Sequence, residues 1–205
     1  MAISYKISET TAFRIVRKIE NILIKSRKFS LPGKKKLLDP SLGDRDVVVD
    51  VMECSIERPS DNQKDFYSGK QKEHTLKIQV LIDRETKQII CLEYGKGRIH
   101  DFKIFKNSNI KLGKTIRIIA DKGYQGIVKI HHLSETPIKK PRGGKLTKEQ
   151  KQYNRQLNRL RVVVEHVNRC LKIFKILSER YRNRHKRFGL RSNLIAGIYN
   201  YELAI

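Results

Sequence analysis

The chain has no run of about 18 apolar residues, so no segment is long and apolar enough to cross a membrane as a helix. Its opening residues, MAISYKISET, lack the basic and then apolar regions of a secretory signal. Cysteine is scarce: Cys54, Cys91 and Cys170 form no CxxC pair, which argues against a disulfide framework or a zinc site and fits a reducing cytosol. No serine or cysteine sits in a GxSxG setting, so the usual hydrolase nucleophile is missing. No internal repeat is visible. Negative charge is also in short supply, with 21 Asp and Glu against 45 Lys and Arg, a formal net charge of +24.

What is present bounds the answer from the other side. A length of 205 residues and 39% hydrophobic content make one ordinary domain with a real core, plus a short appendage. The positive excess opposes compaction unless a polyanion neutralises it, and nucleic acid is the default partner for such a chain. The excess is concentrated. From Lys139 to Arg191 there are 18 Lys and Arg and only three acids, Glu149, Glu165 and Glu179.

The spacing of apolar residues predicts a helix over Ser8–Ser26, capped by Ser8 or Thr10. Its buried face would carry Phe13, Val16, Ile19 (or Glu20) and Leu23, with Arg14, Arg17, Lys18 and Lys25 opposite. Pro32, Gly33, Pro40 and Gly43 place a linker at Phe29–Asp44. DVVVDVMECSIE reads as a strand, and HTLKIQVLID and KQIICLEYGK as an antiparallel hairpin about RETK. HDFKIFKNS reads as a short helix capped by Asp101, TIRIIAD as a fourth strand, and TPIKK as a short fifth. A long helix starts near Thr147 and a last one spans Arg187–Glu202. This order is α/β, with the first and fourth strands parallel through a helical crossover.

Three carboxylates stand out in that frame. Asp50 interrupts VVVDVM, which is apolar at both odd and even positions and therefore a central strand. Burying an unpaired carboxylate there costs several kcal/mol, so a cation is expected beside it. Asp121 ends the fourth strand, at the sheet edge where α/β folds place ligands; it also suits the start of the turn that Gly123 and Gly126 allow. In the long helix, Leu157, Leu160, Val164, Val167, Leu171 and Phe174 form one core-facing stripe. Asn158, Arg161, Glu165, Asn168 and Lys172 form the stripe beside it, which puts Glu165 at the rim of the buried face. Three oxygen donors of this kind suit Mg²⁺ or Mn²⁺. His100–Asp101 reads better as a helix cap than as a catalytic pair, and His131–His132 has no further ligand at metal-binding spacing.

Asp50, ADKGYQG and RLRVVVEHVNRCLKIFKIL, together with RPSDNQKDFYSGKQKEHTLKIQ, GRIHDFKIFKNS and NLIAGIYNYEL, resemble the DDE transposases of the IS4/IS5-type bacterial insertion sequences from about Asp46 to Ala204. The resemblance implies an α/β, RNase H-like mixed sheet flanked by helices at 45–205. It makes residues 1–28 part of an incomplete helix-turn-helix and 29–44 the linker. Asp50, Asp121 and Glu165 match the family's catalytic, metal-holding triad. Arg161, Glu165 and Lys172 match its Tyr-x2-Arg-x3-Glu-x6-Lys signature, with Asn158 in place of the tyrosine. The N-terminal helix is similar to a recognition helix with little before it, which points to a truncated or split product whose end recognition is impaired.

The same resemblance implies two Mg²⁺ (or Mn²⁺) ions per site, cutting of an element end and joining of the 3′-OH to target DNA. Double-stranded DNA would be the partner, bound as a dimer in the cytoplasm of a bacterium and associated with its nucleoid. Arg161, Lys172, Lys70, Lys72 and Arg169 are the single residues expected to touch DNA. The alternative expectation is a binding-only remnant that interferes with intact enzyme. DNA affinity is expected to fall steeply as salt rises, with little sequence preference. Fluorescence anisotropy against salt concentration checks this, and a flat response would assign the charge to another purpose.

Overall fold

Valine-rich β1 (Asp46–Ser55) lies at the heart of a computed structural model that describes residues 3–183 and 185–205. Met1, Ala2 and Arg184, the last of them one of the basic residues in the Lys139–Arg191 tract, lie outside the described residues. β1 is flanked by antiparallel β3 (Glu73–Asp83) and parallel β5 (Arg117–Ile119), the central position its two-sided apolar pattern predicts. β4 (Ile89–Lys96) completes the hairpin with β3. The two-residue β2 (Tyr67–Ser68) joins the start of β3, and β6 (Ser134–Glu135) runs parallel beside β5.

Six helices accompany the sheet among the described residues: α1 (Glu9–Lys25), α2 (Gln63–Phe66), α3 (Asp101–Asn107), α4 (Lys148–Leu171), α5 (Lys175–Ser178) and α6 (Phe188–Glu202). On one sheet face, Val48, Met52, Ile78 and Val80 pack against Leu157, Val164, Val167 and Leu171 of α4 and Ile195 of α6. On the other, Val47, Val49 and Leu81 pack against Phe105 of α3 and against Tyr124 and Ile127. α4 starts at a capping box in which Thr147 and Gln150 satisfy each other's backbone N–H groups. No helix is long and apolar enough to cross a membrane among the described residues.

Three local expectations differ from the structure, each for an identifiable reason. TPIKK is not a strand, because the Asn154 side chain both accepts from Ile138 N–H at 2.7 Å and donates to Ile138 C=O at 3.0 Å. With those groups engaged by α4, the ladder falls to Ser134–Glu135 instead. His100, not Asp101, caps α3, since its ring accepts from Phe102 N–H, while Asp101 is drawn to the buried Lys77 ammonium at 2.8 Å. On α1 the expected Val16 and Leu23 are partly buried and the alternative Glu20 is the inward residue, whereas Phe13 and Ile19 are exposed. Arg187 and Arg191 reach Glu20 at 3.0 and 2.6 Å, so the carboxylate is seated between two guanidinium groups. The segment expected as a linker, Phe29–Asp44, is packed on its neighbours, with Leu37 fully buried and Gly33 N–H bonded to Ile90 C=O.

The same segment explains Gly197 in α6. A Cβ there would collide with the backbone of Phe29. Alanine is the better helix former by about 1 kcal/mol, so an open position would gain from it. Gly197→Ala is instead expected to destabilise by about 1–3 kcal/mol through overpacking. A melting temperature several degrees below wild type confirms this, and an unchanged or higher one refutes the close approach.

Candidate active site

The β1–β5 ladder pairs Asp46 with Arg117, Val47 with Ile118 and Val48 with Ile119, a constant offset (117 − 46 = 71). Asp50 and Asp121 are separated by the same interval (121 − 50 = 71), and the backbone at Asp121 is still extended. Continuing the register sets Asp121 opposite Asp50. Val48 and Ile119 face the α4 core, and side chains two residues further along each strand return to that face. Arg117 fixes the register by a bidentate pair with Asp46, at 2.7 Å from Nε and 2.6 Å from Nη2.

Asp50 meets its expected cation. Arg161 Nη2 lies 3.4 Å from Oδ1, and Asn168 Nδ2 donates to Oδ2 at 3.2 Å. Burial pushes the Asp50 carboxyl up to about 6 from the ordinary 3.8; Arg161 and the Val51 N–H pull down, and the Asp121 and Asp101 charges push up. Asp121 accepts from Gly123 N–H at 2.7 Å and so also starts the turn Lys122–Tyr124. Tyr124 is fully buried, donates to Gln79 at 3.1 Å and packs on Phe102 and Phe105. It lies under the site, in the core on the sheet face opposite α4. Its hydroxyl is raised well above 10.0, first by burial and then by Asp101, Asp50 and Asp121.

Glu165 occupies the α4 stripe between Arg161 and Asn168, both of which touch Asp50, but its own carboxylate is exposed. It lines an open groove of about 830 Å³ with Lys151, Arg155, Asn158, Arg159 and Arg161. The groove residues Lys151, Arg155 and Arg159 were not singled out from sequence, although their spacing of four along α4 is legible there. Asp101, read from sequence only as a cap, is close enough to raise both Asp50 and Tyr124.

The other expected DNA contacts are spread more widely. Lys172 and Arg169 are exposed at the C-terminal end of α4, with Lys172 near enough to Cys54 to act on its thiol. Lys70 and Lys72 are exposed in the turn between β2 and β3. Cys54 and Cys91 are buried, and burial pushes both thiols up to about 12. His131 is committed to the Ile116 carbonyl at 2.6 Å.

Asp50 and Asp121 fit a hard divalent cation: both are oxygen donors on one sheet face, and one is raised in part by the charge of the other. Glu165 is not gathered with them. No group of three or more His, Cys, Asp or Glu that could hold a metal ion occurs among the described residues.

A mixed sheet with an aspartate on its central strand, a second aspartate ending the parallel neighbour and a helix carrying a glutamate across the face defines an RNase H-like fold of the DDE kind. The family model described as DDE superfamily endonuclease matches residues 49–200. A "Probable transposase for insertion sequence element IS702" from Microchaete diplosiphon is 66% identical over 205 residues, covering 100% of this chain and 74% of that protein. No solved structure matches. The chain belongs to the DDE superfamily endonuclease family.

Asp50 also predicts a pH effect. Because its folded pKa is raised, its ionisation weakens the fold: the penalty is absent below about pH 4 and fully developed above about pH 6. Asp50→Asn is therefore expected to be more stable than wild type at pH 7.5 in EDTA, by up to about 3 kcal/mol. The gain should vanish at pH 4. Thermal melts at the two pH values check the sign.

Proposed function

We propose that this chain is a transposase that cuts DNA at insertion-sequence ends and joins the freed 3′-OH to target DNA. The observation that carries this reading is the β1–β5 register, which, continued by two residues, brings Asp121 opposite Asp50, with Arg161 reaching from Asp50 to the groove on α4. The name of the IS702 relative points the same way.

In this reading Asp50, Asp121 and Glu165 are the catalytic residues and would hold two Mg²⁺ or Mn²⁺ ions. When bound, such ions activate water or a 3′-OH and stabilise the leaving oxygen of a phosphodiester. The chain's own residues do the rest. Asp50 and Asp121 are aimed by the sheet and need no rearrangement, whereas Glu165 turns inward from the groove wall. Lys151, Arg155, Arg159 and Arg161 hold phosphates by charge-assisted hydrogen bonds. Lys172 and Arg169 continue that track along α4, and Lys70 and Lys72 contact DNA beyond the end of β1. Tyr124 braces the Asp121 turn from below through Gln79. Residues 45–205 form the catalytic unit, 29–44 its linker, and α1 contributes Arg14, Arg17 and Lys18 to holding DNA.

Nicking of a supercoiled plasmid tests the reading. Wild type is expected to nick only with Mg²⁺ or Mn²⁺, and Asp121→Asn to lose at least about 100-fold of that rate. Undiminished nicking by the variant would sink the triad. No nicking by wild type with any metal would favour DNA binding alone.

A further inference from the structure

Arg161 has two surroundings at once. Its Nη2 lies beside Asp50, and its side chain also lines the groove with Arg155, Arg159 and Glu165. The 3.4 Å contact is long for a charge-assisted hydrogen bond, which is usually about 2.7–2.9 Å. The buried Nε has no acceptor among the described residues. A guanidinium offers five donors in a fork that matches a phosphate, and here one of them makes one weak contact. Asn168 occupies the other Asp50 oxygen at 3.2 Å, so side chains of α4 contact both oxygens.

Resting on the carboxylate site proposed above, we infer that Arg161 is a stand-in cation, seated on Asp50 until a DNA phosphate draws it into the groove, so that metal loading waits for DNA. Two physical constraints carry this. Asp50 is largely buried, so its charge cannot be left bare, and Arg161 leaves only as another cation arrives. A guanidinium and a divalent ion beside one carboxylate repel each other at a few Å, so the two compete. Glu165 follows Arg161 by one helical turn, and the groove it faces is where Arg161 would go. The exchange then empties the place beside Asp50 that Glu165 must enter.

The test is calorimetric titration of the full chain with Mn²⁺, for wild type and Arg161→Gln, with and without a short DNA duplex, after subtracting Mn²⁺ binding to the duplex alone. Without DNA, Arg161→Gln is expected to bind Mn²⁺ roughly tenfold more tightly or better, as follows from removing a unit charge a few Å away. A gain of affinity is not what structural damage produces. The duplex is expected to tighten wild-type binding and to tighten the variant's much less. Equal or weaker Mn²⁺ binding by folded Arg161→Gln overturns the inference alone. The wild-type duplex arm stands even where the variant fails to fold, and a duplex that leaves wild-type affinity unchanged also overturns it. No Mn²⁺ binding by either protein, with or without DNA, overturns the inference and the carboxylate site together.

Discussion

The register between β1 and β5 is the constraint from which the site follows. Three paired residues and one bidentate ion pair, Asp46 with Arg117, set it. A slip of one residue would turn Asp121 away from the face that Asp50 shares with α4 and send it toward the Tyr124 core. Parallel strands need a long crossover, and here β3, β4 and α3 supply it while building the antiparallel half of the sheet. The arrangement of two carboxylates is thus a property of strand pairing. It does not depend on a loop finding its conformation.

Charge complicates that frame in an informative way. A strongly basic chain has placed a carboxylate where burial works against it, and has put an arginine from α4 beside it. One face of α4 supplies core leucines and valines, the next supplies Arg161 and Asn168 to Asp50, and the next lines the groove. Three jobs on one helix leave little room for substitution along it. The Tyr124–Gln79 contact plays a comparable part on the opposite sheet face, where it ties the Asp121 turn to β3.

Much of this was legible in the residues. Two-sided apolar character marked β1 as central, the RETK turn marked the hairpin, and the 3–4 spacing marked the stripes of α4. The misreadings share one cause, a distant side chain satisfying a local group. TPIKK has strand composition, but Asn154 takes the backbone of Ile138. Phe13 and Ile19 fit a buried stripe, but two arginines of α6, far along the chain, seat Glu20 instead. Asp101 suits a helix cap, but Lys77 attracts it. For the site, pattern alone paired Asp50 with a cation and put Glu165 at the rim of the core. It did not show that Glu165 faces the groove, because rotamer choice depends on neighbours that one-dimensional spacing does not contain.

The cysteines described above have a practical side. Cys54 and Cys91 are shut in the core as inert thiols, whereas Cys170 is partly open on α4, five positions past Glu165. A maleimide dye or spin label offered to the native protein would settle on that one sulfur without engineering. The helix that bears Arg161 and Glu165 therefore carries its own attachment point for an optical or magnetic reporter, through which its movements can be watched as ions and duplex are added.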